Sequence, residues 1–418
     1  MRELLVHGMF RSGTTLLSRM LGAGGRNLIV TDPFVYFFRA YRNYHLESLA
    51  EKRWKPEDPT CDHFRPRHPE ANHAILNGDL SEFCSDAILA RMVSDIREWK
   101  HEQHPRLCAA LDQLTPGTFA EVYQQLITLC VQLYGDARVE SVGAKLSWCE
   151  EYLPALARAF PKMSFVLIVR DLRSIVASQN SQTSAGAGKR PLLFYARHWR
   201  KSVAYARYFS QMHPTLRNRT YLLRYEDLVR APMEQLELLC ATTGLDLDPA
   251  MVETACFRSE SETGTWVPNT SFEPNNGIYQ SSIDRWKEIL SDDQRRTIEA
   301  LAGPELYWMG YSLPPGGVDN ISKIAALEGE PRVQELADWI RDLDCCDYLR
   351  DPDKEKKEHE AEATRRAILE GQARCAPQQL GELFPAPDGF EALQVGWFRY
   401  LRSQDKPKSI KQAIGEQN

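Results

Sequence analysis

The sequence predicts an α/β protein built on a doubly wound parallel sheet, with a helical insertion and a helical C-terminal extension. Three observations carry this. The apolar run Leu4–His7 enters a Gly-bounded loop and then a helix. "SFVLIV", from Ser164 to Val169, is an unbroken apolar run between helices, the signature of a parallel strand buried on both faces. "TYLLRYEDL", from Thr220 to Leu228, is again a strand running into a helix. Short buried strands alternating with amphipathic helices require a sheet covered on both sides, and ligands on such sheets sit at the carboxyl ends of the strands. The loops after Val6, Val169 and Leu223 are therefore expected to share one crevice.

In chain order, Leu16, Leu17, Met20 and Leu21 recur at helical spacing until Gly24 and Gly25 stop the helix. "LIVT", residues 28–31, makes a second short strand that ends at Asp32 and Pro33. From about 34 to 137 the pattern is mostly helical and rich in aromatic and basic residues, broken by the Pro-punctuated "KPEDPTCDHFRPRHPE"; it is expected to cover the site as an insertion. Val139–Lys145 is a weak strand, and "EEYLPALARAF" is a helix leading to Ser164. After Val169 the chain passes through Arg170 and Asp171 into a helix holding Ile175, Val176 and Ser178. The composition changes after "MGYSLPP", so the boundary of the main domain is expected near residue 315, with 316–418 as the extension. Its charge-dense run "DPDKEKKEHEAEATRR" reads as a solvated helix face, whereas "FEALQVGWFRYLRS" is apolar enough to pack back on the core or against a second subunit, giving a homodimer.

Composition narrows the partners. With 51 basic against 57 acidic residues and a net charge of −6, the chain has no field to hold a nucleic acid or an anionic membrane, so an anionic ligand must be bound locally. No stretch approaches eighteen apolar residues, and the N-terminus lacks a signal-peptide pattern. The ten cysteines have no paired C-x-x-C spacing, which predicts neither a zinc site nor a disulfide framework and points to a reducing, cytoplasmic setting.

The chemistry is expected at "HGMFRSGTT". A phosphate-binding loop of the G-x-x-x-x-G-K-S/T kind carries a lysine after its second glycine; here Gly8 and Gly13 are followed by Thr14 and Thr15. Backbone N–H groups and the following helix N-terminus still cradle a phosphate, with Ser12, Thr14 and Thr15 as hydroxyl donors. A nucleoside triphosphatase needs the missing lysine and a metal, so a donor with less charge to cancel fits better. Arg170 and Ser178 lie close enough in sequence, at the end of one strand and in the following helix, to converge on a second phosphate.

"FRSGTT", "RDLRSIVAS", "GAKLSW", "RYEDLVRAP" and "SSIDRWKEILSDDQRRTIEALAG" occur in the order in which the sulfotransferases using 3′-phosphoadenosine 5′-phosphosulfate carry their signatures, and over about residues 3–312 the sequence resembles that family. Phe10 and Leu172 stand where the family usually has proline. The resemblance implies a P-loop-like sulfotransferase fold and transfer of a sulfuryl group to a hydroxyl, or less often an amine, of a small-molecule or carbohydrate acceptor, with no metal required. It implies Arg11 as the cation that stabilises the departing phosphate, Lys145 as a second cation on the sulfuryl oxygens, Arg170 and Ser178 on the 3′-phosphate, and Tyr225 and Arg285 on the nucleotide. The histidine that phenol- and steroid-directed relatives place two residues after this lysine is absent, since Leu146 and Ser147 follow Lys145. Carbohydrate- and tyrosine-directed relatives place a carboxylate after the second strand, which makes Asp32 the expected base; His45, His63, His68 and His73 of the insertion are the next candidates. Two other readings remain: a small-molecule kinase, revealed by magnesium-dependent use of ATP, and a non-catalytic nucleotide-binding or assembly protein, revealed by tight binding without transfer.

Overall fold

The structure is a computed structural model that describes residues 1–31, 34–49, 69–178, 192–257, 278, 280, 282–314 and 352–404. Its centre is a five-stranded parallel sheet in the order β2-β5-β1-β6-β7. The strands are β1 (Arg2–His7), β2 (Asn27–Thr31), β5 (Ser141–Leu146), β6 (Ser164–Val169) and β7 (Thr220–Arg224). Two-residue strands β3 (Phe83–Cys84) and β4 (Gly117–Thr118) pair antiparallel outside the sheet. The chain moves outward from β1 to β2 on one side and crosses to β6 and β7 on the other, which places the switch point, and hence the crevice, at the carboxyl end of β1.

Because side chains alternate along a strand, each of these strands feeds two cores. Leu5, Val30, Val142, Ala144, Phe165 and Leu167 pack on one face, and Leu4, Val6, Ile29, Val166, Ile168 and Leu223 on the other. This double burial is why β6 reads as one continuous apolar run. The second face is covered by α1 (Thr14–Gly22), which Gly25, in the left-handed region at φ 77°, helps to turn back into β2.

The expected insertion is helical: α2 (Val35–Glu47), α3 (Pro69–Asn77), α4 (Asp86–Lys100), α5 (Pro105–Ala110) and α6 (Phe119–Tyr134). The aromatic residues of α2 and α6 form core, with Phe37 and Tyr41 of α2 packing on Phe119 and Phe38 on Tyr152, while Phe83 and Trp99 are exposed. A reciprocal cap starts α6: the Thr118 backbone N–H donates to Glu121 Oε2 at 2.7 Å, and the Glu121 N–H donates to Thr118 Oγ1 at 3.2 Å.

Among the described residues up to Pro314, helices α7 (Leu153–Ala159), α8 (Leu172–Val176), α9 (Leu192–Gln211), α10 (Tyr225–Arg230), α11 (Pro232–Thr243), α12 (Trp286–Ile289) and α13 (Asp292–Trp308) follow. Beyond it come α14 (Pro352–Leu369), α15 (Pro377–Leu383) and α16 (Phe390–Gln404). The apolar stripe of α16 packs back on this chain: Leu393, Trp397 and Tyr400 join Ile368 and Leu369 against Tyr307, Trp308 and Leu313. The charged run in α14 departs from the solvated face expected of it. Asp353, Lys356, Lys357 and Glu360 are exposed, but Glu362 and Arg365 are buried because arginines of α9 and Glu305 of α13 face them.

Candidate active site

The loop between β1 and α1 is shaped by backbone before any side chain acts. Gly13 caps α1 at φ 100°, and a Cβ there would overlap the Tyr225 ring; a Cβ on Gly8 would overlap the Ile168 carbonyl. Arg11 also takes the left-handed region, φ 66°, an uncommon conformation for a residue with a side chain. The Ser12 hydroxyl donates back to Met9 O at 2.5 Å, so it braces the loop. Thr14 is buried and Thr15 half-buried in the first turn of α1, whose N–H groups open toward the crevice.

Three loops meet here, as the sequence predicts. Arg170, after β6, lays its guanidinium over the ring of Tyr225, the first residue of α10 directly after β7, at 4.2 Å, donates from Nη1 to Arg11 O at 3.3 Å, and from Nη2 to Ser282 O at 3.2 Å. Its Nε is buried and has no hydrogen-bond partner among the described residues. Tyr225 and Ser282 share a hydrogen bond between hydroxyls at 3.0 Å. Burial, and then the neighbouring positive charge of Arg170, hold the Arg11 guanidinium below its usual range. Two cations drawn this close, with hydroxyls and N–H groups around them, form a locus that favours an anion in a chain of net negative charge.

The remaining expected residues fall as follows. Ser178 is buried but lies beyond α8, which ends at Val176; its N–H donates to Ile175 O at 3.2 Å. Arg285 is half-buried at the start of α12, three residues after Ser282. Lys145 is 7% exposed on β5, in register with Val6 of β1 and Thr31 of β2, so alternation turns it to the α1 face with Val6. Asp32, with His63 and His68, lies outside the described residues. His45 packs inside the insertion, 3.8 Å from Glu82 and edge-on to Tyr41, and His73 is exposed on α3 beside Asn77.

Several residues that the sequence reading did not single out complete the site. Asp171 caps α8, forks onto Arg173, and Arg173 reaches Glu299 at 2.8 Å. The Asp171 N–H donates to Glu226, whose other oxygen accepts from Tyr311 at 3.0 Å. This scaffold fixes the turn carrying Arg170. On the far side of Arg11 is an aromatic wall: Phe10 against Trp148 at 5.3 Å and Tyr195 at 5.7 Å, with Trp148 stacked on His198 at 5.4 Å. Trp148 is held at φ 62°, a costly conformation for an aromatic residue. Its place directly after "GAKLS" was the one available sequence signal.

Beneath the wall is a buried charge cluster. His7 Nε2 accepts from the Cys149 N–H at 3.0 Å and lies 3.8 Å from Glu150, while Lys201 bridges Glu150 and Glu151. Burial holds His7 below its usual range and pushes the Glu151 carboxyl up to about 7, despite Lys201, because Glu150 adds a second negative charge.

A family model described as "Sulfotransferase family" matches residues 3–249. Carbohydrate sulfotransferase 7 of Mus musculus is 28% identical over 132 residues, 31% of this chain and 26% of that protein. Carbohydrate sulfotransferase 6 of Homo sapiens is 29% identical over 98 residues, 23% of this chain and 25% of that protein. The matched stretch thus spans about a quarter of these curated relatives. Among solved structures, the sulfotransferase domain from the curacin biosynthetic pathway aligns with a TM-score of 0.43 and 18% identity, over 74% of this chain and 98% of that one. The sulfotransferase domain from the Synechococcus PCC 7002 olefin synthase gives 0.44 and 17%, over 74% and 95%.

Proposed function

The chain belongs to the sulfotransferase family, and from that premise we propose that it transfers the sulfuryl group of 3′-phosphoadenosine 5′-phosphosulfate to a hydroxyl of a small-molecule or carbohydrate acceptor. The observation that carries this reading is the convergence of Arg170, Tyr225, Ser282 and the Arg11 loop on one cationic locus. The orphaned Nε of Arg170 fits a further anionic acceptor there, and the 3′-phosphate supplies one. Ser178 and Arg285 belong to the same phosphate-binding half, and the loop N–H groups with Thr14 and Thr15 hold the 5′-phosphate.

The donor supplies an activated sulfur bridged by oxygen to its 5′-phosphate. The acceptor oxygen forms the new S–O bond as the S–O bond to the bridging oxygen breaks, so negative charge grows on the departing phosphate. Arg11, backed by the loop N–H groups, offsets it. Lys145 steadies the sulfuryl oxygens from the α1 side of the sheet. Asp32, the first residue after β2, takes the hydroxyl proton. The products are a sulfate ester and adenosine 3′,5′-bisphosphate. Phe10, Trp148, Tyr195 and His198 wall the acceptor side, and a flat apolar or pyranose face suits them. The buried thiols of Cys84, Cys108, Cys130, Cys149 and Cys240 support a reducing, cytoplasmic setting, and no described helix is long and apolar enough to cross a membrane.

Titration with adenosine 3′,5′-bisphosphate against adenosine 5′-phosphate, without magnesium, tests the assignment. The wild type should prefer the bisphosphate, and Arg170→Ala should lose a contact of about 2–3 kcal/mol and with it the discrimination. A wild type indifferent to the 3′-phosphate refutes it. Labelled donor offered to panels of sugars and aryl alcohols then identifies the acceptor.

A further inference from the structure

The stretch Arg197-His198-Trp199-Arg200 of α9 turns two faces in opposite directions. Tyr195, His198 and Trp199 are spaced i, i+3 and i+4, so they share the face that meets the site. Tyr195 packs on Phe10 and His198 on Trp148, while Trp199 Nε1 donates to the Arg170 carbonyl at 2.7 Å. Arg197 and Arg200, three residues apart, face the C-terminal extension instead. Arg197 donates from Nε and Nη2 to Glu362 Oε1, both at 3.2 Å. Arg200 donates from Nη1 to Glu362 Oε2 at 2.7 Å and from Nη2 to Oε1 at 2.9 Å, and Nη1 also reaches Leu301 O at 2.8 Å. The three side chains are 1%, 0% and 3% exposed, respectively, for Arg197, Arg200 and Glu362.

We infer that Glu362 is a positioning residue for the donor site: by forking onto Arg197 and Arg200 it fixes the rotation and height of α9, and α9 through Trp199 holds the backbone of Arg170. The step from Arg170 to the donor rests on the assignment of Arg170 to the 3′-phosphate. A buried carboxylate has a reason to be here that apolar packing does not supply. The bidentate pair with Arg200 fixes direction as well as distance, and the two Arg197 donors on Oε1 add a second anchor on the same face, so that the carboxylate sets the register of a twenty-residue helix. Glu362 lies more than a hundred residues beyond the family match, which ends at residue 249, so the extension sends a carboxylate from outside the matched part onto the helix that carries Trp199.

The test uses the full chain and the ratio of Kd values for adenosine 5′-phosphate and adenosine 3′,5′-bisphosphate. Glu362→Gln keeps shape and removes the charge; it should weaken bisphosphate binding by about 3- to 30-fold and leave 5′-phosphate binding nearly unchanged. Trp199→Phe should do the same, and the double variant should be no worse than either single one, because both cut one chain of contacts. Should Glu362→Gln fail to fold, the triple replacement Arg197→Met/Arg200→Met/Glu362→Met removes the three charges of the fork together, leaves Arg365 paired with Glu305, and is expected to fold. It should show the same loss of preference for the 3′-phosphate. Additive losses in the double variant, or a folded triple variant with the wild-type ratio, overturn the inference while leaving the donor assignment standing. A wild type without any preference for the 3′-phosphate overturns both.

Discussion

Arg11 and Arg170 show how a chain of net negative charge concentrates positive potential: each is mostly buried, each lowers the cost of an anion and raises the cost of having none. Their partners decide what the anion is. Gly13 is the residue that lets Tyr225 lie against the loop, so Gly13→Ala should both strain φ 100° and push the ring away; a loss of bisphosphate affinity beyond tenfold, roughly 1.4 kcal/mol, is expected by calorimetry. On the acceptor side, Asp32→Asn keeps size and hydrogen bonding but cannot take a proton, so turnover should fall by about 10² to 10⁴ with nucleotide affinity unchanged. Near-normal turnover would leave Asp32 as a turn residue before Pro33. The search would then not pass to His45, which packs against Glu82 and Tyr41, nor to His73, exposed on α3. Arg170 and Tyr225 were legible in the sequence because a strand end followed at once by a helix fixes where they stand. Ser282 and Trp199 were not, because only tertiary packing brings them to Arg170.

At the scale of elements, the sheet was legible because strands buried on both faces leave continuous apolar runs, as in β6, and because Gly-bounded loops mark the turn into α1. What the residues after Val169 concealed was helix length: α8 stops at Val176, and Ser178 lies in the turn beyond it. The turn after β5 concealed more, since nothing in "SWCEEYL" announces that Glu150 and Glu151 are buried 3% and 4% exposed against Lys201. Burial lowers His7, two carboxyls share the Lys201 ammonium, and Glu151 is the group that burial pushes up to about 7 from an ordinary 4.5. The folded state therefore binds that proton more tightly than the unfolded one. Its contribution is greatest below pH 4.5 and is lost as the pH rises through about 7, whereas His7, with a lowered value, pulls the opposite way. Comparing wild type with Glu151→Gln isolates the carboxyl: urea unfolding from pH 4.5 to 8 should show the variant gaining on the wild type with rising pH, by on the order of 3 kcal/mol in all. A difference independent of pH would place the Glu151 charge outside the energetics of the fold.

Across the whole molecule, the family match ends at residue 249, yet the burial of charge does not respect that limit. Composition alone marked residues 316–418 as an appendage, and on that view a chain stopped near Pro315 keeps its nucleotide if the fold survives. The packing argues that survival is the hard part. Ending the chain at Pro314 removes Glu362 from Arg197 and Arg200, and Arg365 from Glu305, leaving buried charges on α9 and α13 that met a partner on α14. Taking one partner from a buried pair costs about 3–5 kcal/mol, and the ordinary reserve of a domain is only about 5–15 kcal/mol. The same cut bares Tyr307, Trp308 and Leu313, which Leu393, Trp397 and Tyr400 cover. The truncated chain should therefore aggregate, or melt at least about 10 °C below the full chain, taking the conversion of a few kcal/mol into melting temperature for a domain of this size. Replacing the unpartnered arginines with apolar side chains, Arg197→Met and Arg200→Met in the truncated background, should recover part of the loss if uncompensated charge is its cause. A truncated chain that melts with the wild type would make the three C-terminal helices dispensable to the core, and no recovery on Arg197→Met/Arg200→Met would assign the loss to the uncovered aromatic surface instead.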